Sequence, residues 1–204
     1  LDAAIRSFDD AVLWNDRAEG HLTTFDLSAE LTLMTVDEVR KQLMELSYTT
    51  GIKRLVISGG EPMQQQVALA ELLTGQQLFS AVELETSGAI APTMPRSLGI
   101  LYNVSPKLSH ANTKRPISFE ALIAFRERNA RFKFVVRNEA DLLEVARIKI
   151  MVGIRDEMIW IMPLGITKDD VHERFRLVAE EVVKRRWNLT TRLHVLAYGS
   201  RRGV

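Results

Sequence analysis

Cysteine is absent from all 204 residues. That excludes disulfides, cysteine-ligated zinc and cysteine-ligated iron–sulfur clusters within them. An excess of charge of one sign is also lacking: 27 Lys and Arg face 26 Asp and Glu, so no electrostatic footprint for nucleic acid is expected. No apolar run reaches the roughly 18 residues a membrane helix needs, and no secretory leader is visible. A cytoplasmic location is the expectation. Repeats, low-complexity tracts and linkers are missing too, so residues 1–204 are expected to form one domain. The first residue is Leu1 rather than methionine, and an upstream segment in the gene is therefore expected.

What is present suffices for a core. Apolar residues make up 46% of the chain, enough for one buried interior at this length. Short apolar runs at Arg54–Ser58, Val82–Glu85, Ile100–Ser105, Phe132–Val136, Met158–Met162 and Arg192–Leu196 read as strands. Helical periods fall between them, near Val36–Ser47, Gln65–Leu73, Phe119–Asn129, Ala140–Ile148 and Asp169–Arg186. Thr35 with Glu38 three residues later spells a capping box. Asp169 and Asp170 open the last long helix and Lys184, Arg185 and Arg186 close it, matching the helix dipole. Alternating strands and helices predict an α/β fold with a parallel sheet. Periodicity leaves an open partial barrel and a doubly wound sheet both standing. In either, ligands bind beyond the carboxyl ends of the strands.

Polar residues gather at those ends. Ser58-Gly59-Gly60-Glu61-Pro62 follows the first clear strand, Glu85-Thr86-Ser87-Gly88 the second and Ser105-Pro106-Lys107 the third. The glycines permit close backbone approach to a ligand, and Glu61 can receive an ammonium group. The same residues also suit a tight turn with a capping carboxylate. Lys133 opens a later strand and suits either a ligand cavity or the surface. His21, His110 and His172 show no metal spacing, and His194 reads as a hydrogen-bonded core or interface histidine within a strand. Arg201 and Arg202 read as a solvated tail.

Ser58–Pro62 with Gln64 or Gln65 nearby, Glu85–Gly88, Ser105–Lys107, Lys133–Val136 and Ile161–Gly165 together resemble the radical S-adenosylmethionine enzymes, most closely the 7-carboxy-7-deazaguanine synthases. The ending, Arg192–Leu196 with Gly199, Arg202 and Gly203, is similar as well, so the resemblance covers nearly all of 25–204. It implies a partial open (β/α)6 barrel, a homodimer and ring contraction of 6-carboxytetrahydropterin toward queuosine and related 7-deazapurines. The implied cofactors are a 4Fe–4S cluster, S-adenosylmethionine and magnesium. The implied S-adenosylmethionine contacts are Gly59, Gly60, Glu61, Thr86, Ser87, Ser105, Lys107 and Lys133.

The chain departs from that family at its start. Asp9–Trp14 fits the family's Asp-Thr-x-Tyr-x-Trp segment, and counting back puts the three cysteine positions of the Cys-x3-Cys-x2-Cys loop at Leu1, Ile5 and Phe8. An alternative alignment sets Trp14-Asn15-Asp16 on Trp-Cys-Asp. Hydrocarbon side chains donate nothing to iron, and an ordinary core role suits them. Asp10 stands where the family's magnesium-binding threonine lies; it suits that metal or a solvated loop. The family's first strand and pterin-binding segment would lie upstream of Leu1, and Leu164 replaces a carboxylate. Three functions compete: a cluster-free pseudoenzyme that binds S-adenosylmethionine weakly beside a pterin-like ligand, an active synthase whose cysteines lie outside these residues, and a cluster-independent enzyme using S-adenosylmethionine as an alkyl donor.

Overall fold

The computed structural model describes residues 4–6, 32–113 and 117–199. Among them, a short antiparallel pair joins β1 (Ala4–Arg6) to β2 (Leu33–Thr35), with Ile5 opposite Met34. Six parallel strands follow: β3 (Arg54–Ile57), β4 (Ala81–Thr86), β5 (Leu101–Val104), β6 (Arg131–Val136), β7 (Ile159–Pro163) and β8 (Asn188–Leu189). Their order in the sheet is their order in sequence. A doubly wound sheet reverses its order at a switch point; this one does not, which removes one of the two arrangements that periodicity left standing. By contacts the chain divides into two compact units, Leu1–Thr86 with Pro92–Tyr102, and Ser87–Ala91 with Asn103–Val204.

In the first unit, α1 (Val36–Thr50) begins at the expected capping box. Thr35 donates its backbone N–H to Glu38 Oε2 at 2.7 Å, and the Glu38 N–H reaches Thr35 Oγ1 at 3.2 Å. The helix stops at Gly51, whose left-handed φ of 69° would strain any side-chain-bearing residue. Val36 of α1 packs with Ala68 and Leu72 of α2 (Gln66–Leu73), with Val39 and Leu43 against them. Strands β3 and β4 pair from Arg54 with Ala81 to Ile57 with Leu84.

The second unit holds the larger core. Helices α3 (Phe119–Arg126), α4 (Glu139–Val152) and α5 (Lys168–Lys184) alternate with β6 and β7. Phe132, Phe134, Val136, Ile159 and Ile161 are wholly buried, as are Phe125 of α3, Leu142 and Val145 of α4 and Val178 and Val182 of α5. The intervening Lys133, Val135, Trp160 and Met162 are only half-buried. Parallel strands covered on both faces read as continuous apolar runs. Alternation at this depth means that one face is sealed and the other is open to some degree.

The expected last strand, Arg192–Leu196, is instead a helix, α6 (Leu193–Tyr198), and the sixth strand is the two-residue β8. Leu196 N–H donates to Arg192 O at 3.1 Å and Gly199 N–H to Val195 O at 2.9 Å, both helical spacings. A five-residue segment with three apolar members satisfies either period. Here Val195 alone is buried while Leu193 is 71% exposed. His194, expected in the interior of a strand, lies exposed on this helix.

Candidate functional site

The turn after β3 is set by backbone. Gly59 and Gly60 have φ of 97° and 51°, values that side-chain-bearing residues adopt only at a cost. They aim Glu61 back into the fold, where it is 8% exposed. Glu61 Oε1 accepts the Met63 N–H at 3.2 Å and so caps the 3-10 turn Pro62–Gln65, with Pro62 at its first position. The same oxygen accepts the hydroxyl of Thr86, itself 5% exposed, at 2.6 Å. Beside this bond Ser58 donates to Glu85 Oε2 at 3.0 Å. Two side-chain bonds therefore tie the residues ending β3 to those ending β4. The capping role offered by sequence is what Glu61 performs, and the join to Thr86 comes with it.

In the second unit Ser87 accepts the Ala89 N–H at 3.4 Å. Gly88 has φ of 77°, and a Cβ there would stand 2.6 Å from Val104 Cγ1 and 2.8 Å from Leu122 Cδ2. Glycine is thus required by conformation and by packing together. After β5 the chain alternates, with Ser105 half-buried, Pro106 buried, Lys107 exposed and Leu108 buried. The 3-10 turn Ser109–Ala111 follows. Glu144 of α4 receives both donors of Ser109, the N–H at 2.9 Å and the hydroxyl at 2.7 Å. His110 Nδ1 lies 3.1 Å from Asp141 Oδ2, with side chains 6% and 4% exposed; the approach is close, although Nδ1 makes no well-aligned hydrogen bond.

Asp141 accepts from Arg137 three times, through the backbone N–H at 2.8 Å, Nε at 3.1 Å and Nη2 at 3.1 Å. Burial opposes its charge, but the Arg137 hydrogen bonds, together with the nearby His110 and Arg137 charges, hold the carboxyl below its usual range. The sequence pattern singles out neither Asp141 nor Glu144, and it bears on His110 only through metal spacing. A signal existed in Asn138-x-x-Asp141, a capping pattern in which the Asn138 side chain accepts the Asp141 N–H at 3.2 Å.

Lys133 is half-buried on β6. It and Arg192 act on His194: partial loss of hydration first, then the Arg192 and Lys133 charges, keep the pKa of this largely exposed histidine below its ordinary value. Arg192 donates to Gly165 O at 2.7 Å and Arg174 to Leu164 O at 2.9 Å, so cations grip the backbone of the turn after β7. A Cβ on Gly165 would meet the Val171 backbone nitrogen at 2.8 Å. Leu1, Phe8 and Asp10 lie outside the described residues, as does the side chain of Ile5. Among the described residues no group of His, Asp and Glu is arranged to hold a metal ion, and no helix is long and apolar enough to cross a membrane.

No family model matches the chain. Proteins named 7-carboxy-7-deazaguanine synthase are nevertheless similar to it. The one from Pyrobaculum aerophilum is 36% identical over 173 residues, which span 83% of this chain and 75% of the relative. The one from Hyperthermus butylicus is 35% identical over 150 residues, 70% of this chain and 64% of the relative. A third, from Rhodopirellula baltica, is 25% identical over 193 residues, 86% and 71% of the two chains. Among solved structures, SuiB of Streptococcus suis superposes with a TM-score of 0.51 at 13% identity, over 77% of this chain and 43% of that one. That likeness is one of fold alone. At the identity and coverage of its Pyrobaculum relative, the chain belongs to the 7-carboxy-7-deazaguanine synthase family.

Proposed function

We propose that these 204 residues form a cluster-free member of the family, which keeps the turn that grips S-adenosylmethionine and lacks the means to cleave it reductively. An iron–sulfur cluster of the radical type takes thiolate ligands, and the chain has none. The residues present do not fit that group, so ring contraction of 6-carboxytetrahydropterin is not expected of them. The observation that carries the reading is the 2.6 Å bond between Thr86 and Glu61 in a chain without cysteine. It holds a buried carboxylate beside two glycines, which carry no side chain to bar a ligand's approach. Thr86 and the Met63 N–H are neutral donors. An ammonium group would add a full opposing charge.

Ligand affinity follows from this. A charge-assisted contact is worth about 1.5–3 kcal/mol, so losing the grip of a metal centre weakens binding roughly 10- to 150-fold. If an intact site binds at about 10 μM, S-adenosylmethionine binds here at about 0.1–1.5 mM. The family resemblance also assigns Ser87, Ser105, Lys107 and Lys133 to that ligand, and single substitutions at each test the assignments separately. A pterin-like second ligand, magnesium at Asp10 and a homodimer rest on the same resemblance.

Two measurements decide the matter. Anaerobic reconstitution with iron and sulfide should leave the protein colourless and iron-free. Recovery of about four irons per chain would instead mean an active synthase whose ligands come from elsewhere. Calorimetry should detect S-adenosylmethionine in the millimolar range, weakened further by Glu61→Gln, which replaces an ion pair with a dipole. Equal binding by that variant would leave the turn only its capping role.

A further inference from the structure

Helix α6 is held to the second unit by little. Val195 is its one buried residue, and the other five are exposed. So short a helix does not persist on its own in water. Arg192 at the N-cap makes no capping bond with its side chain. Its guanidinium reaches instead to Gly165 O at 2.7 Å, on the turn after β7. Partial burial lowers the Arg192 pKa, and no carboxylate among the described residues offsets this. The attachment of α6 thus rests on one apolar side chain and one guanidinium.

His194 stands in the first turn of this helix, two residues after Arg192. The charges acting on it are those of Arg192 and of Lys133, which is half-buried on β6. Among the described residues no carboxylate acts on it. The first turn of a helix is also its positive end. A proton on His194 therefore adds positive charge beside two cations, at the end of the helix least suited to it. Once α6 comes away, Lys133 and the helix end no longer oppose that proton. All of these groups belong to the second unit. We infer that α6 is a pH-sensitive strap, docked through Val195 and Arg192 while His194 is neutral and loosened when His194 is protonated. Loosening takes Arg192 off Gly165 and leaves Arg174, on Leu164 O, as the described cation on that turn. The direction follows from linkage. A histidine whose folded pKa is lowered contributes stability that is complete above the ordinary histidine range and falls away with acid.

Hydrogen exchange, corrected for the intrinsic effect of pH on the amide, reads the strap directly. The amides bonded in α6, those of Leu196 and Gly199, should be protected at about pH 7.5, above the ordinary histidine range. At about pH 5.5 that protection should fall roughly 2- to 5-fold, a modest effect because His194 is largely exposed. Strands β6 and β7 should keep theirs. His194→Gln, which takes no proton, should show the same protection at both pH values. Salt at about 1 M, which screens charges beyond about 3 Å, should shrink the pH effect in the unaltered protein. Arg192→Ala should expose the α6 amides at both pH values while β6 and β7 stay protected. Absence of protection in α6 at the higher pH, or a pH effect that survives in His194→Gln or at high salt, would overturn the strap. So would full protection of α6 in Arg192→Ala. A loss spread over β6 and β7 as well would make α6 part of the core and no strap. No ligand enters the measurement, so its outcome is independent of the proposed function.

Discussion

The turn after β3 and the loop after β5 solve one problem with opposite materials. The first is shaped by two glycines and closed by neutral donors on a buried carboxylate, Thr86 and the Met63 N–H on Glu61. The second contains no glycine and is tied down by carboxylates on a helix, Asp141 and Glu144, with Arg137 and His110 as further partners of Asp141. The first turn is held by groups close to it in the fold of β3 and β4. The second depends on residues far away in sequence and, through Asp141, on pH.

The sharpest break should come at Asp141. Asp141→Ala strands the Arg137 guanidinium and the buried His110, and removing one partner of a buried pair is costly. Because the Arg137 side chain is 42% exposed, water recovers part of the loss, and about 2–3 kcal/mol should vanish from the urea-unfolding free energy. A loss under about 0.5 kcal/mol would mean that the cluster stabilises nothing.

Acid should find the same weak point. The folded-state pKa of Asp141 lies below its unfolded value. Its stabilisation is therefore fully present above the ordinary aspartate range and drains away as pH falls through the folded value. Unfolding curves of the unaltered protein and Asp141→Asn should differ at pH 6 and converge on acidification. Curves that stay parallel down to low pH would assign the acid sensitivity to other carboxylates.

Smaller effects belong to the first turn. Thr86→Val removes a buried hydroxyl at almost constant shape and should cost about 1–2 kcal/mol, with Thr86→Ser restoring most of it. Exchange in 105–112 should not respond to Thr86→Val. If it does, the two regions are coupled and the contrast between them fails. Smallest of all, Ser58→Ala deletes an exposed bond to Glu85 that water replaces, and the midpoint of unfolding should move by less than about 0.5 kcal/mol equivalent.

Legibility in the sequence follows the same division. Gly59–Pro62 could be read as a tight turn with a capping carboxylate because glycine, glycine, acid and proline stand in succession, and the capping box at Thr35 and Glu38 is equally local. Strands such as Phe132–Val136 announced themselves through aromatic and β-branched residues between helical periods. The grip of Glu144 on Ser109 spans 35 positions, and no local pattern encodes it. Arg192–Leu196 misled for a different reason. Five residues with three apolar members fit strand and helix alike, and the choice was made by i to i+4 bonds and by Arg192 reaching Gly165.

A sheet sealed on one side gives a lineage two sets of positions that drift at different rates. Phe132, Phe134, Ile159 and Ile161 cannot change without disturbing the packing of three helices, whereas Lys133, Val135, Trp160 and Met162 stand on the less covered face. Substitutions there change the chemical character of that face and leave the folding of the unit nearly untouched. A chain built this way can take substitutions on its open face and keep its architecture.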